Sequence, residues 1–527
     1  AGNRLIPTLP LRLIQQVAVL ARHLETRAYG VPQDIEWAFD GEQIWLLQSR
    51  PITTLTPIWT RKIAAEVIPG AIRPLTWSIN RPLTCGVWGD IFGIVLGDRV
   101  EDLDFNRMAT LHHSHAYFDA SLLGETFLRM GLPAESLEFL TRGAKFSKPP
   151  LSATLRNLPG LLRLAMRELF VGNAFTKDDK TRFTPALERL AKAPAATLDE
   201  ESLLDRIDRI LESLTLATYY NILVPLSFAL RKAIFKVADP LLDSRRNPEV
   251  AALEDLRAIA QDSRPVLGAL DSLPDGCSSL FAALAENPDG QAVLDRLNQF
   301  LTRYGYLSQV GTDIAVPTWA EKPRPVRELF AQFLLKPPKA TAGEDSATVR
   351  SRQSGKVRRV QQRLDLKGRV NEVYSRLLAE LRWSFVALEQ RWLQAGVLDA
   401  PGDLFFLDFD DIRQVLESDN PTASSHLSAL PAKIAARKAR FEADQGRSPI
   451  PTLAYGTAPP QLDSLAPVSA AQTLRGIGGS PGQIEGTIQV VTELQTLPGE
   501  LDGKILVVPY TDAGWSPLLA RAGGLVA

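Results

Sequence analysis

Helical periodicity runs almost unbroken from about residue 55 to about residue 445, while strand alternation is confined to the two ends of the chain. In "TLDEESLLDRIDRILESL" apolar residues recur at 203, 204, 207, 210, 211 and 214, behind a predicted capping box from Thr197 to Glu200. In "VNEVYSRLLAELRWSFVALEQRWLQAG" one stripe carries Val370, Val373, Leu377, Leu381, Leu388 and Trp392, and the pattern stops at Gly396. With 527 residues the chain is too long for one hydrophobic core. The expectation is a multidomain α+β protein with a large, mainly helical middle.

The ends read differently. Pro10 suits a first helical turn, and Leu13, Val17, Leu20 and Leu24 follow at helical spacing. Two strand-like runs, Ile35 to Phe39 and Ile44 to Ser49, then flank the turn signal Asp40-Gly41. One helix and a hairpin cannot bury a core by themselves, so residues 1–54 are predicted to be the tail of a larger domain. Near the other end, Gly-rich turns punctuate short strands at Thr487–Val491 and Ile505–Val508, which predicts an α/β domain over 473–527. The Pro- and Ala-rich stretch 448–472 is predicted to be a linker, and 336–353 a loop within the helical region.

Composition narrows the function classes. Lys and Arg number 59 against 60 Asp and Glu, so no global field draws the chain to nucleic acid or an acidic membrane. Two widely separated cysteines, Cys85 and Cys277, fit a reducing, cytoplasmic setting rather than a disulfide scaffold. Residues 213–230 carry no charge, but Asn221 and Pro225 interrupt a run already shorter than the roughly 20 residues of a membrane span. A buried helix lining an apolar pocket is the expectation there, with a span as the alternative. His112, His113 and His115 raise a metal hypothesis; without a Cys or Glu cluster nearby, a polar strand or turn beside a substrate pocket is the expected reading.

The first hairpin holds Glu36, Gln48 and Arg50 where Ile or Val would pack better. Buried side chains of this kind require partners, so they face one another or a ligand. A carboxylate for Mg²⁺, with an amide and a guanidinium for phosphate oxygens, forms a nucleotide-binding set; the alternative is an Arg–Glu pair at a sheet edge. An odd-length loop would pair Glu36 with Leu46 and gather all three on one face, whereas an even-length loop would separate them.

"PQDIEWAFDGEQIWLLQSRPIT" resembles the end of the ATP-grasp nucleotide-binding domain of the phosphoenolpyruvate-utilising enzymes, in the pattern D-I-E-W, a turn, then L-Q-[SA]-R-P. The group includes phosphoenolpyruvate synthase, pyruvate phosphate dikinase and rifampicin phosphotransferase. The resemblance implies that Glu36 contacts Mg²⁺ and phosphates and that Gln48 and Arg50 contact ATP. "GGSPGQIEG" and "ILVVPYTDAGWSPLLARAGGLVA" resemble the phosphohistidine swivelling domain of the same group. None of the five histidines, at 23, 112, 113, 115 and 426, sits in that domain's catalytic loop context, so the carrier histidine is expected beyond Ala527.

The long helical region between the two matches is the layout of rifampicin phosphotransferase. Residues 68–83, 303–326 and 402–416 resemble stretches of that middle domain. The second departs where relatives often show Gly-His-Arg, a Glu before Asp-Ile and an Arg before Trp; here stand Gly305-Tyr306-Leu307, Thr312 and Thr318. That departure argues against rifampicin itself as the acceptor. The implied function is an ATP-dependent phosphotransferase that passes phosphate through a histidine to a small-molecule acceptor in the helical domain, 55–447. A pyruvate-directed synthase and a non-catalytic ligand-binding relative are the alternatives. The chain by itself is expected not to transfer phosphate, and its sequence is silent on oligomeric state.

Overall fold

The computed structural model describes residues 10–24, 33–51, 57–131, 157–267, 277–335, 355–417, 425–445, 447, 450–456, 459–460, 483–491, 503–508 and 522–526. Helix α1 (Leu11–His23) precedes an antiparallel hairpin of β1 (Gln33–Phe39) and β2 (Ile44–Pro51). Strand β3 (Ile58–Thr60), helix α2 (Lys62–Val67), helix α3 (Pro74–Leu96), strands β4 (Ala109–His112) and β5 (His115–Asp119) and helix α4 (Ala120–Arg129) follow. Helices α5 (Leu158–Asp178), α6 (Thr184–Lys192), α7 (Glu200–Phe235), α8 (Pro248–Asp262), α9 (Cys277–Glu286), α10 (Pro288–Tyr304), α11 (Arg324–Leu335), α12 (Gly355–Gln394), α13 (Phe409–Leu416) and α14 (Ser425–Gln445) build the middle of the chain. Strands β6 (Leu453–Tyr455), β7 (Ile488–Val490), β8 (Ile505–Val507) and β9 (Gly524–Val526) complete it. The protein is mostly helical with small sheets, as the periodicity predicts.

The core is organised by two long helices. The α7 helix, of 36 residues, lies along α12, of 40 residues. Val370, Leu377, Leu381 and Leu388 of α12 meet Leu203, Ile207, Ile210 and Leu214 of α7 in the largest buried cluster. Every residue of the predicted α12 stripe is buried, and Gly396 just past the helix takes φ +72°, a conformation that glycine adopts without Cβ strain. The start of α7 differs from expectation. Thr197 ends a preceding 3₁₀ turn, and the cap is Asp199, whose carboxylate accepts the Ser202 N–H at 2.9 Å. A second core joins α8, α9, α10 and α11, with Ala379 of α12 at its margin.

One helix among the described residues, α7, is long and apolar enough to cross a membrane, and it contains the uncharged stretch 213–230. Here it is the packing partner of α12, and Leu214, Ala217, Tyr220, Leu223 and Val224 lie in the core. Its Pro225 is accommodated inside the helix.

Two features of the middle were not predicted. Strands β4, β5 and β3, inside the expected helical region, form a four-stranded antiparallel sheet with β6. Its edge strand, β6, comes from the stretch expected to be linker: Leu453 pairs with Thr60 and Tyr455 with Ile58. The Pro451 carbonyl also accepts the Tyr117 hydroxyl at 2.6 Å, so this part of 448–472 is held in the fold. The predicted loop 336–353 lies outside the described residues. Strands β7, β8 and β9 are parallel, as an α/β unit requires.

Arg206 of α7 fixes the long helix pair. It is buried and donates to Glu380 Oε2 at 2.5 Å, to Ser384 Oγ at 3.1 Å and to the Ala193 carbonyl at 2.7 Å. Removing one partner of such a pair strands the other in low dielectric. Arg206→Ala is expected to lower unfolding free energy by about 3–5 kcal/mol in urea denaturation. The double change Arg206→Met, Glu380→Leu is expected to recover most of that loss. Gly160 gives an independent check, because a Cβ there would sit 1.8 Å from the Val95 carbonyl oxygen of α3. Gly160→Ala is expected to cost about 1–3 kcal/mol through forced separation of α5 from α3.

Candidate functional site

The first hairpin turns at Asp40. Its carboxylate accepts the backbone N–H groups of Glu42 and Gln43 at 2.9 Å and the Trp45 indole N–H at 2.7 Å. Those hydrogen bonds, that from Gln43 first, hold the Asp40 pKa down to about 2. Gly41 supplies φ +107°. The closing pair is Phe39 and Ile44, so the loop has four residues, an even number. An even loop would place Glu36 on the opposite face from Gln48 and Arg50. A β-bulge between Glu36 and Trp37 on the β1 side, with Leu47 as the extra residue of β2, reverses that outcome. Glu36 therefore pairs with Gln48, not with Leu46, and Asp34 pairs with Arg50.

Opposed residues of an antiparallel pair share a face. Asp34, Glu36, Gln48 and Arg50 accordingly form one polar face, reached through a bulge rather than through loop parity. All four are exposed, which corrects the premise that they are buried. Arg50 Nε donates to Asp34 Oδ2 at 2.9 Å. The opposite face is partly covered, with Ile35 and Trp37 half-buried and Ser49 Oγ donating to Gln33 Oε1 at 3.0 Å. Asp34 joins the set that the sequence suggests, because its place two residues before Glu36 on one strand puts it on the same face. Among the described residues no group of three or more His, Cys, Asp or Glu gathers to hold a metal. The donor set does fit Mg²⁺ in its nucleotide-bound form, which needs only one or two carboxylates besides phosphate oxygens; Glu36 and Asp34 are the candidates.

A second site forms where 68–83, 303–326 and 402–416 converge. Arg73 Nη1 donates to the Ala315 carbonyl at 3.0 Å, Thr76 Oγ1 to Asp313 Oδ1 at 2.5 Å and Asn80 Nδ2 to the Thr312 carbonyl at 2.7 Å. The Phe409 N–H donates to Ser78 Oγ at 2.9 Å, and the Arg73 guanidinium lies 5.6 Å from the Phe406 ring centre. From α12, Arg382 donates to the Ile314 carbonyl at 2.8 Å and to both oxygens of Glu321 at 2.7 and 2.9 Å. Burial alone would raise the Glu321 pKa; the Arg382 pair leaves it below its ordinary value.

Beside this junction is a cavity of about 270 Å³, lined by Glu249, by Tyr306 to Gln309 and by Asn371, Ser375 and Leu378 of α12, among others. Asn371 Nδ2 donates to Glu249 at 3.1 and 3.3 Å. Burial raises the Glu249 pKa against the opposing effects of Asn371 and Lys367. A groove of about 430 Å³ runs between α3 and α7 beside Phe409. Of the stretch 213–230 expected to line a pocket, only Thr215 faces that groove, next to Leu211 and Glu212.

The histidines lie elsewhere. His113 and Ser114 form the two-residue turn between β4 and β5, with φ +48° and +57°, so His113 and His115 do not share a strand face. His113 Nδ1 lies 3.5 Å from buried Asp444, whose other oxygen accepts the Ser114 hydroxyl at 2.8 Å. His115 Nδ1 bonds the His113 carbonyl at 2.6 Å. No histidine lines either cavity among the described residues, and His112, His113 and His115 occupy strand ends and a turn, as expected.

Burial, ahead of the neighbouring Arg61, brings the His115 pKa down to about 4. His112 is lowered too, by burial and then by His113. The folded state thus binds fewer protons than the unfolded chain between about pH 6.5 and pH 4. Stability is expected to fall as pH drops through that window, measured by urea unfolding at fixed ionic strength. His115→Gln is expected to flatten the slope; an unchanged slope would contradict the assignment.

Residues 3–67, which contain the hairpin, match the pyruvate phosphate dikinase AMP/ATP-binding domain, and residues 230–388 match the rifampicin phosphotransferase fourth domain. The chain is 25% identical to the prodigiosin synthesizing transferase PigC of Serratia marcescens, over 100% of the chain and 66% of that protein. It is 22% identical to rifampicin phosphotransferase of Bacillus cereus, covering 98% of the chain and 63% of the relative. An uncharacterised protein of Mycobacterium tuberculosis is 27% identical over 90% of the chain and 56% of its own length. The chain thus spans between about half and two thirds of the length of these relatives.

Proposed function

Because the chain belongs to the phosphoenolpyruvate-utilising phosphotransferase family and resembles rifampicin phosphotransferase, we propose that it is part of an ATP-dependent enzyme that phosphorylates a small-molecule acceptor. The single observation that carries this reading is the bulge-set register, which presents Asp34, Glu36, Gln48 and Arg50 together on one open face. In this reading Gln48 donates its amide to a nucleotide oxygen. Arg50, oriented by Asp34, neutralises phosphate charge through a guanidinium that stays protonated. Glu36 supplies a carboxylate oxygen for Mg²⁺, which when bound would neutralise developing charge on the phosphates.

The transfer is divided into two steps through a phosphohistidine carrier, which replaces one difficult displacement by two easier ones. The parallel strands β7 to β9 belong to that carrier unit, and the helical region presents the acceptor. We place the reaction in the cytoplasm, where ATP is available and thiols stay reduced. Cys85 is a free, buried thiol whose pKa is pushed up to about 11 by burial, so it has no nucleophilic part in the chemistry.

The test uses the full-length gene product with radiolabelled ATP and Mg²⁺. Glu36→Gln and Arg50→Ala are each expected to lower ATP-dependent labelling by at least about ten-fold, a loss of about 1.4 kcal/mol in the transition state. Both side chains are exposed, and an exposed ion pair is worth about 0–1 kcal/mol, so thermal unfolding should barely move. Unchanged labelling in both variants would refute the nucleotide role of this face.

A further inference from the structure

The cavity beside the 303–326 loop has a chemistry of its own. Its α12 wall is one stripe: Asn371, Ser375, Leu378 and Arg382 follow at helical spacing. The opposite wall is the loop after α10, held rigid by the Trp319 N–H bond to the Leu307 carbonyl at 2.7 Å and the Ala320 N–H bond to Gly305 at 2.9 Å. The guanidinium in the cavity lining is already engaged, and its helix neighbour Arg376 has a carboxylate partner. Arg382 is clamped by Glu321, and Arg376 pairs with Glu372 at 3.0 Å while lying over the Tyr306 ring at 5.1 Å.

The carboxylates that line the cavity are engaged differently. Asp313 accepts from Thr76 and from the Ala315 N–H through one oxygen. Glu249 makes no ion pair among the described residues; its carboxylate accepts from the Asn371 amide and from its own backbone N–H. A carboxylate accepts at about four lone-pair positions, so these donors leave Glu249 with capacity toward the cavity. An anionic guest would meet two lining carboxylates, and the one guanidinium in the lining, Arg382, is already held by Glu321. A cation would meet an acceptor of opposite charge, with apolar walls from Leu307, Ile314, Val316 and Leu378 for its body.

We propose that this cavity holds the phosphoryl acceptor and selects one with a protonated amine on a compact apolar body, the amine seated on Glu249. The word acceptor rests on the phosphotransferase reading above; the amine selectivity rests on the cavity alone. Burial raises the Glu249 pKa despite the opposing effects of its hydrogen-bond donors and of Lys367, in keeping with a carboxylate that no ion pair holds among the described residues.

The test is calorimetric titration of the full-length protein with two probes of matched shape, tyramine and 3-(4-hydroxyphenyl)propionate. Tyramine is expected to bind at least ten-fold more tightly than the propionate. Glu249→Gln keeps the shape and the Asn371 contact, and it is expected to weaken tyramine at least ten-fold. Ser375→Phe, which fills the cavity, is expected to abolish binding, and circular dichroism reports whether each variant folds. Equal affinity for the two probes, no binding of tyramine, or an unaltered affinity in Glu249→Gln would each overturn the proposal. If tyramine behaves as expected while the hairpin variants leave ATP-dependent labelling intact, the cavity stands and the phosphotransferase reading falls.

Discussion

The pairing of α7 with α12 is the constraint on which the rest of the structure depends. One face of α12 is committed to α7 through Val370, Leu377, Leu381 and Leu388. Helical geometry then fixes what the adjacent face presents, and that face carries Asn371, Ser375, Leu378 and Arg382 to the cavity. Core packing and site geometry are therefore set by one rotation of one helix. A side chain added at Gly368 would meet the Arg246 carbonyl oxygen at 2.2 Å, so the close approach of the segment before α8, which brings Glu249 to α12, also depends on that helix. Buried Arg206 fixes the pair by joining α7 to Glu380 and Ser384.

Charge is distributed in keeping with this division of labour. In the junction of 68–83, 303–326 and 402–416, buried Arg382 is matched by Glu321 and Ile314, and half-buried Arg73 bonds Ala315. A fully bonded group such as Arg382 adds uniqueness to the packing more than net stability. The hairpin is the opposite case. Its polar face is solvated, and the Arg50–Asp34 pair contributes little to folding, which leaves those side chains free to serve a ligand.

Much of the fold was legible where a pattern repeats over many residues. The α12 stripe and its glycine stop follow directly from helical period and C-cap chemistry. What could not be read depended on single residues or on long-range pairing. The α7 cap fell to Asp199 rather than Thr197, since a 3₁₀ turn consumed the residues before it. Strand β6 is three residues inside a Pro-rich stretch, too short to carry alternation, and it exists because β3 offers it an edge. The grouping of Glu36, Gln48 and Arg50 was legible, but the bulge that produces it was not, because a bulge inserts one residue without a composition signal. Glu249 gave no sign at all; an acid in the first turn of a helix reads as a dipole partner until the fold sets Asn371 against it.

The central claim is that the hairpin face binds the nucleotide, and amide hydrogen exchange addresses it most directly. Residues 33–51 form a two-stranded unit with an exposed polar face, whose exchange is compared in the full-length gene product with and without ligand. Addition of ATP with Mg²⁺ is expected to slow exchange across this hairpin, at and around Glu36, Gln48 and Arg50, while the buried centre of α12 remains unchanged. Identical exchange of residues 33–51 with and without saturating nucleotide would contradict the account.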